Sequence, residues 1–237
     1  MLNKETIKLT VTETLAPKFE AGILSGKLNL EQAKKSFEGH MKILSDYIYE
    51  NYSKIGYLNI DFMKWLHRLL YPKDFKIIVQ REWIRYENIP WEWRLHDYNP
   101  QIPTSYWSKQ CDIEKDLYKF TNEYNLIQNK TIANILKYYF DFLRVHPFSD
   151  SNLTVVSIIC DLECTKYWVL LLNMLDIRFK DSKFMYYITT YYEENIQKNN
   201  ILEEIAWFIS DFHNNNLSQK IIDMKNKQTI YSTSKLF

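Results

Sequence analysis

Residues His146 to Asn152 read His-Pro-Phe-Ser-Asp-Ser-Asn, and this run concentrates the side chains able to move a proton or meet an anion. An apolar helical pattern ends at Val145 and another starts near Thr154, so the run forms the turn between two helices. The first turn of a helix has unpaired backbone N–H groups and the positive end of its dipole, so the turn before the second helix is a natural anion site. His146 stands beside that site with an imidazole that titrates near neutrality, suited to a general base. Ser151, or Asp150, is equally placed for the commoner task of capping the second helix.

The elements that must position this turn follow from periodicity. Asn29 with Gln32 forms a capping-box pattern, and Phe37, Met41, Leu44 and Ile48 then predict a helix over about Leu30 to Tyr52. Asn59 caps a second helix carrying Phe62, Met63, Leu66, Leu69 and Leu70, closed by Pro72. Phe75 to Tyr86 is rich in β-branched and aromatic residues around a polar Gln80 to Glu82 centre and predicts a hairpin. Three prolines among the tryptophans of Ile89 to Trp107 predict an irregular, aromatically pinned loop. Helical spacing resumes at Ile113 to Tyr124 and at Ile132 to Leu143, the latter leading directly into His146. Thr154 to Leu175 is apolar almost all round, the mark of an enclosed helix, and Tyr186 to Asn195 and Leu202 to Phe212 add two more. The elements sum to an all-α, or mainly α, chain with one small hairpin.

His146, Pro147, Phe148, Asp150 and Asn152 match the Fic family signature, His-Pro-Phe-x-Asp/Glu-Gly-Asn-Gly-Arg-x-x-Arg, and the chain resembles that family over roughly Asn59 to Phe212. The resemblance implies a Fic-type helical bundle with the hairpin as its flap. It divides the chain into an N-terminal helical extension (1–58), a Fic-like domain (59–213) and a C-terminal tail (214–237). It implies transfer of AMP or a related phosphate-containing group from ATP or another nucleotide to a protein hydroxyl. In that reaction His146 is the general base, Asp150 holds Mg²⁺, Asn152 and Ser151 lie at the phosphate, and Phe148 anchors the loop inward. Ile77, Ile78 and Val79 in the flap dock the target by strand addition.

The match has gaps. Ser151 and Leu153 stand where the signature has glycine, and Thr154 and Ser157 where it has arginine. Losing one preorganised donor typically costs about 10²- to 10³-fold in rate, so something must stand in for two lost charges; Arg144 and Lys166 are near in sequence. The alternative is a Fic pseudoenzyme, a protein-binding module engaging its partner through the flap and aromatic loop. Thr190, Glu194 and Asn195 fit the letters of the family's inhibitory pattern, Ser/Thr-x-x-x-Glu-Gly/Asn, but fall where its tyrosine-bearing helix belongs, so no inhibitory residue is assigned.

Composition narrows the remaining choices. The 237 residues are 46% hydrophobic and carry 30 basic against 29 acidic side chains, a net charge of +1 that would not draw the chain onto nucleic acid. The most apolar stretch, Tyr167 to Leu175, is about half the length of a membrane span. The first ten residues lack the apolar core of a secretory signal, so the cytoplasm is the default location; delivery into a host cell would suit the resemblance. All four glycines precede Tyr57, which excludes a Walker or dinucleotide loop beyond it. Cys160 and Cys164, four apart without a nearby histidine, read as buried thiols.

Overall fold

The computed structural model describes residues 2–24, 30–81, 83–97, 108–167, 174–175, 177, 183–192, 200–209 and 211. It is mainly helical, with a single hairpin among those residues. Helices α1 (Lys4–Leu24), α2 (Leu30–Ile48), α3 (Ile60–Leu69), α4 (Ile113–Leu126), α5 (Ile132–Val145), α6 (Asn152–Tyr167) and α7 (Lys183–Tyr192) follow in chain order, and residues 200–209 are also helical. No helix among the described residues is long and apolar enough to cross a membrane.

Several ends have clear local causes. Asn59 caps α3 through Oδ1, which accepts from the Phe62 N–H at 2.7 Å. Thr131 and Asn134 form a capping box on α5. The helix expected to run to Tyr52 instead ends at Ile48 and passes into a π-helical turn, Tyr49–Ser53. That turn brings Tyr52 to Glu163 of α6, whose buried carboxylate accepts from the hydroxyls of Tyr52 and of Tyr124 on α4. A carboxylate shared by two phenols thus ties three elements together. The Asn29 cap, residues 168–173, Trp107, Glu194, Asn195 and the tail lie outside the described residues.

One hydrophobic core runs from Leu2 to Ile209, with α6 enclosed at its centre: Val155, Val156, Ile158, Ile159, Cys160, Leu162 and Cys164 are all fully buried. Burial pushes the Cys160 and Cys164 thiols well above their usual range, as inert structural cysteines require. The sequence pattern does not single out α1. It carries an internal proline, Pro17, and its buried Ile7, Val11 and Leu15 recur only every fourth residue among threonines. Those threonines make a polar seam on α6. Thr10 meets Thr165 at 3.2 Å, and Thr14 donates to Asp161 Oδ2 at 2.7 Å, so α1 runs antiparallel to α6 and its later residues approach the His146 turn.

The hairpin forms as β1 (Ile77–Arg81) and β2 (Ile84–Asn88), antiparallel, with Ile77 opposite Asn88 and Arg81 opposite Ile84. The Arg81–Ile84 pair ends the ladder, and the second strand runs to Asn88, two residues beyond the expected Tyr86.

Candidate functional site

α5 ends at His146, whose backbone adopts the left-handed conformation (φ 49°, ψ 59°) while its N–H still donates to the Phe142 carbonyl at 2.9 Å. This turn of the backbone throws the chain off the helix axis. Ser151 is left-handed too, with φ 57°, at a position where the Fic signature carries glycine. A side chain there costs about 1 to 2 kcal/mol. The conformation survives because neighbours hold it: the Ser151 N–H donates to Asp150 Oδ1 at 2.6 Å, and the Tyr71 hydroxyl bridges Asp150 Oδ2 (3.0 Å) and Ser151 Oγ (2.8 Å). Ser151→Gly is therefore expected to be more stable than Ser151→Ala by about 1 kcal/mol in chemical denaturation. Both variants lose the hydroxyl, so equal stabilities would remove the backbone argument.

The middle of the turn is anchored inward. Phe148 is fully buried, stacked on the His67 ring (centroids 3.9 Å apart, planes within 2°) and tilted against Trp93 at 5.3 Å. Asn152 locks the Phe148 peptide from both sides: its Oδ1 accepts from the Phe148 N–H at 2.9 Å and its Nδ2 donates to the Phe148 carbonyl at 2.7 Å. What Asn152 holds here is the loop itself.

His67 is a residue the sequence reading passed over. The Trp91 N–H donates to its Nδ1 at 3.1 Å, so the proton sits on Nε2, which donates to the Asp150 carbonyl at 3.1 Å. Burial holds this imidazole down at about 4, against 6.5 for free histidine. The unfolded chain takes up the proton near 6.5 and the folded one resists until about 4, so the stabilisation is complete above 6.5 and is lost as the pH falls toward 4. Lowering the pH from 7 to 5 is expected to remove about 2 kcal/mol through this group. Denaturation of the wild type and of His67→Phe at both pH values checks it: the variant should lose less, and equal losses would assign the acid sensitivity elsewhere.

Arg94 was also missed, hidden among the tryptophans of the irregular loop. It is fully buried and donates to the His146 carbonyl from Nε at 2.8 Å, to His96 O from Nη1 at 2.6 Å, and from Nη2 to Ser108 O and to Val145 O at 3.4 Å. Its own N–H donates to Pro147 O at 2.9 Å. One guanidinium thus satisfies the end of α5 where His146 sits. A lone cation inside an aromatic run is the sequence signal that could have found it.

The expected stand-in cations lie elsewhere. Lys166 is three turns along α6 from Thr154, donating to Gly56 O at 3.0 Å. Arg144 is exposed on α5, where its charge acts on Tyr191 and Tyr192. The cation at the loop is Lys18 of α1, its Nζ 3.2 Å from Thr154 Oγ1 and 3.5 Å from Ser151 Oγ.

In the hairpin, Ile77 is buried, Val79 half-buried and Ile78 exposed, while Trp83 at the turn is 97% exposed. Of the three expected docking residues, only Ile78 therefore faces outward along its length. Among the described residues, no cluster of three or more His, Cys, Asp or Glu side chains could enclose a metal. Asp150 supplies one exposed carboxylate, which suits Mg²⁺ arriving on a phosphate rather than a protein cage. Neither a protein-family model nor a curated protein sequence matches this chain.

Proposed function

We propose that the chain is a Fic-like protein that transfers AMP or a related phosphate-containing group from a nucleotide such as ATP to a hydroxyl of a protein target. The observation that carries this reading is the backbone of the turn: Ser151 is left-handed just before the first turn of α6, at the position where the signature has glycine, the residue that adopts this conformation most readily. Unpaired N–H groups of that turn face an anion. His146, at the end of α5, takes the proton from the incoming hydroxyl as its oxygen bonds to phosphorus and the leaving phosphate departs. Asp150 would hold Mg²⁺, which supplies charge neutralisation at the phosphate oxygens. Tyr71 and the Ser151 N–H orient that carboxylate. Ile78, Trp83 and Ile84 are exposed on the hairpin and suit a protein target laid against it.

The test is thermal unfolding against a panel of Mg²⁺-nucleotides, since a ligand at 100 times its dissociation constant adds about 2.7 kcal/mol. Wild type and His146→Ala should both shift, Asp150→Ala should not, and only wild type should label a protein acceptor with the donor that shifts it. No shift with any nucleotide would overturn the reading.

A binding module without chemistry is the second reading, favoured by Thr154 and Ser157 standing where the signature places arginine. It requires partner capture that survives His146→Ala and is lost with Trp83→Ala.

A further inference from the structure

Lys18 occupies a place that stability alone would not choose. Its ammonium lies against the first turn of α6, beside Ser151 and Thr154, where the helix dipole favours negative charge. Lys18 as a whole is exposed to solvent, but desolvation by the groups around its ammonium lowers its pKa, and Asp150 offsets this only in part. Among the described residues, no carboxylate approaches it within ion-pair distance. Two of its three donors meet neutral hydroxyls, which leaves one for an anionic oxygen. A second observation points the same way. Ser157, one turn further along the α6 face that Thr154 shares, is fully buried with its hydroxyl unpartnered, and so is the hydroxyl of Ser149 in the loop, a residue only 9% exposed. Natural structures seldom bury such groups without a partner. A cation opposed by the dipole thus lies at the first turn of α6, with an unpartnered hydroxyl in the loop before it and another one turn beyond it.

We infer that Lys18, reaching across from α1, neutralises the phosphate held at the α6 loop, in place of the arginines at whose positions Thr154 and Ser157 stand. This rests on the phosphate-transfer reading above and adds to it the group that carries the charge. A lysine is a point charge without the arginine fork, so it compensates charge with less control of phosphate geometry.

The experiment uses the full chain, titrated calorimetrically with inorganic pyrophosphate and with Mg²⁺-ATP, in wild type, Lys18→Gln and Lys18→Arg. The expected result is binding by wild type, about 10- to 100-fold weaker binding by Lys18→Gln, and recovery in Lys18→Arg. In the absence of ligand, Lys18→Gln should melt at the wild-type temperature or above it, because it relieves a cation at the wrong end of a helix. A lysine that merely packs α1 on α6 would instead lower the ligand-free melting temperature on replacement and leave affinity unchanged, and that result overturns the inference while leaving the transfer reading intact. Wild type binding neither compound overturns both. Should Lys18→Gln fail to fold, wild-type protein with ¹³C-methylated lysines reports directly: the Lys18 resonance, identified by its loss in Lys18→Arg, must move on addition of a bound ligand, and a resonance that stays still refutes the role.

Discussion

Arg94→Met is expected to lower the free energy of unfolding by about 3 to 5 kcal/mol, because it strips a buried fork from the carbonyls of His146, Val145, His96 and Ser108 at once. Methionine fills much of the volume but offers no donor, so the buried acceptors lose both protein and water partners. The ion pair with Asp97 contributes little, since at 3.7 Å it reaches a carboxylate that is 73% exposed. Arg94→Lys should fare only slightly better, because one ammonium cannot span carbonyls that the planar guanidinium reaches from both sides. Urea denaturation of the three proteins measures this, and the His146 ring resonances read the local consequence. A loss below about 1 kcal/mol, with His146 unmoved, would show that solvent or neighbouring donors satisfy those carbonyls without Arg94.

Phe148→Ala is expected to cost a similar amount, about 3 to 5 kcal/mol, with a fall in Tm on the order of 10 °C. The ring is fully buried between His67 and Trp93, and the Phe148 backbone is fixed by Asn152, so the site cannot easily collapse into the space left behind. The consequence reaches past stability. His67 loses its stacking face, and with it the orientation that delivers Nε2–H to the Asp150 carbonyl. Phe148→Leu, which keeps most of the volume, should recover more than half of the loss. If alanine and leucine behave alike, the aromatic stack and not the filled volume is what holds the turn.

These residues also show which parts of the site periodicity could reveal. The turn itself stood out because its residues are contiguous: His146, Phe148, Asp150, Ser151 and Asn152 lie within seven positions, and a helix pattern flanks them on each side. Phe148 was expected to point inward and is fully buried. The supports are scattered. Lys18, His67, Tyr71 and Arg94 come from α1, α3, the turn after it and the aromatic loop, and each meets the His146 turn across at least 50 residues of chain. Apart from Arg94, a lone cation in an aromatic run, nothing in their own neighbourhoods distinguishes them, since a lysine after a proline or a histidine on an apolar helix face has ordinary uses everywhere.

The sequence by itself determined what local spacing controls: the mainly helical class, the cap at Asn59, the hairpin, the enclosed helix after the turn, and the turn as the stretch where polar and titratable side chains gather between two helices. Helix period, cap chemistry and β-branched content act over a few residues and can be read from a few residues. Only the tertiary structure decided that α1 packs antiparallel on α6, that a left-handed serine is held by Tyr71 and Asp150, and that the cation at the loop is Lys18 rather than Arg144 or Lys166. Charge and hydrogen bonding depend on distance through space, and proximity along a folded chain is set by how helices pack.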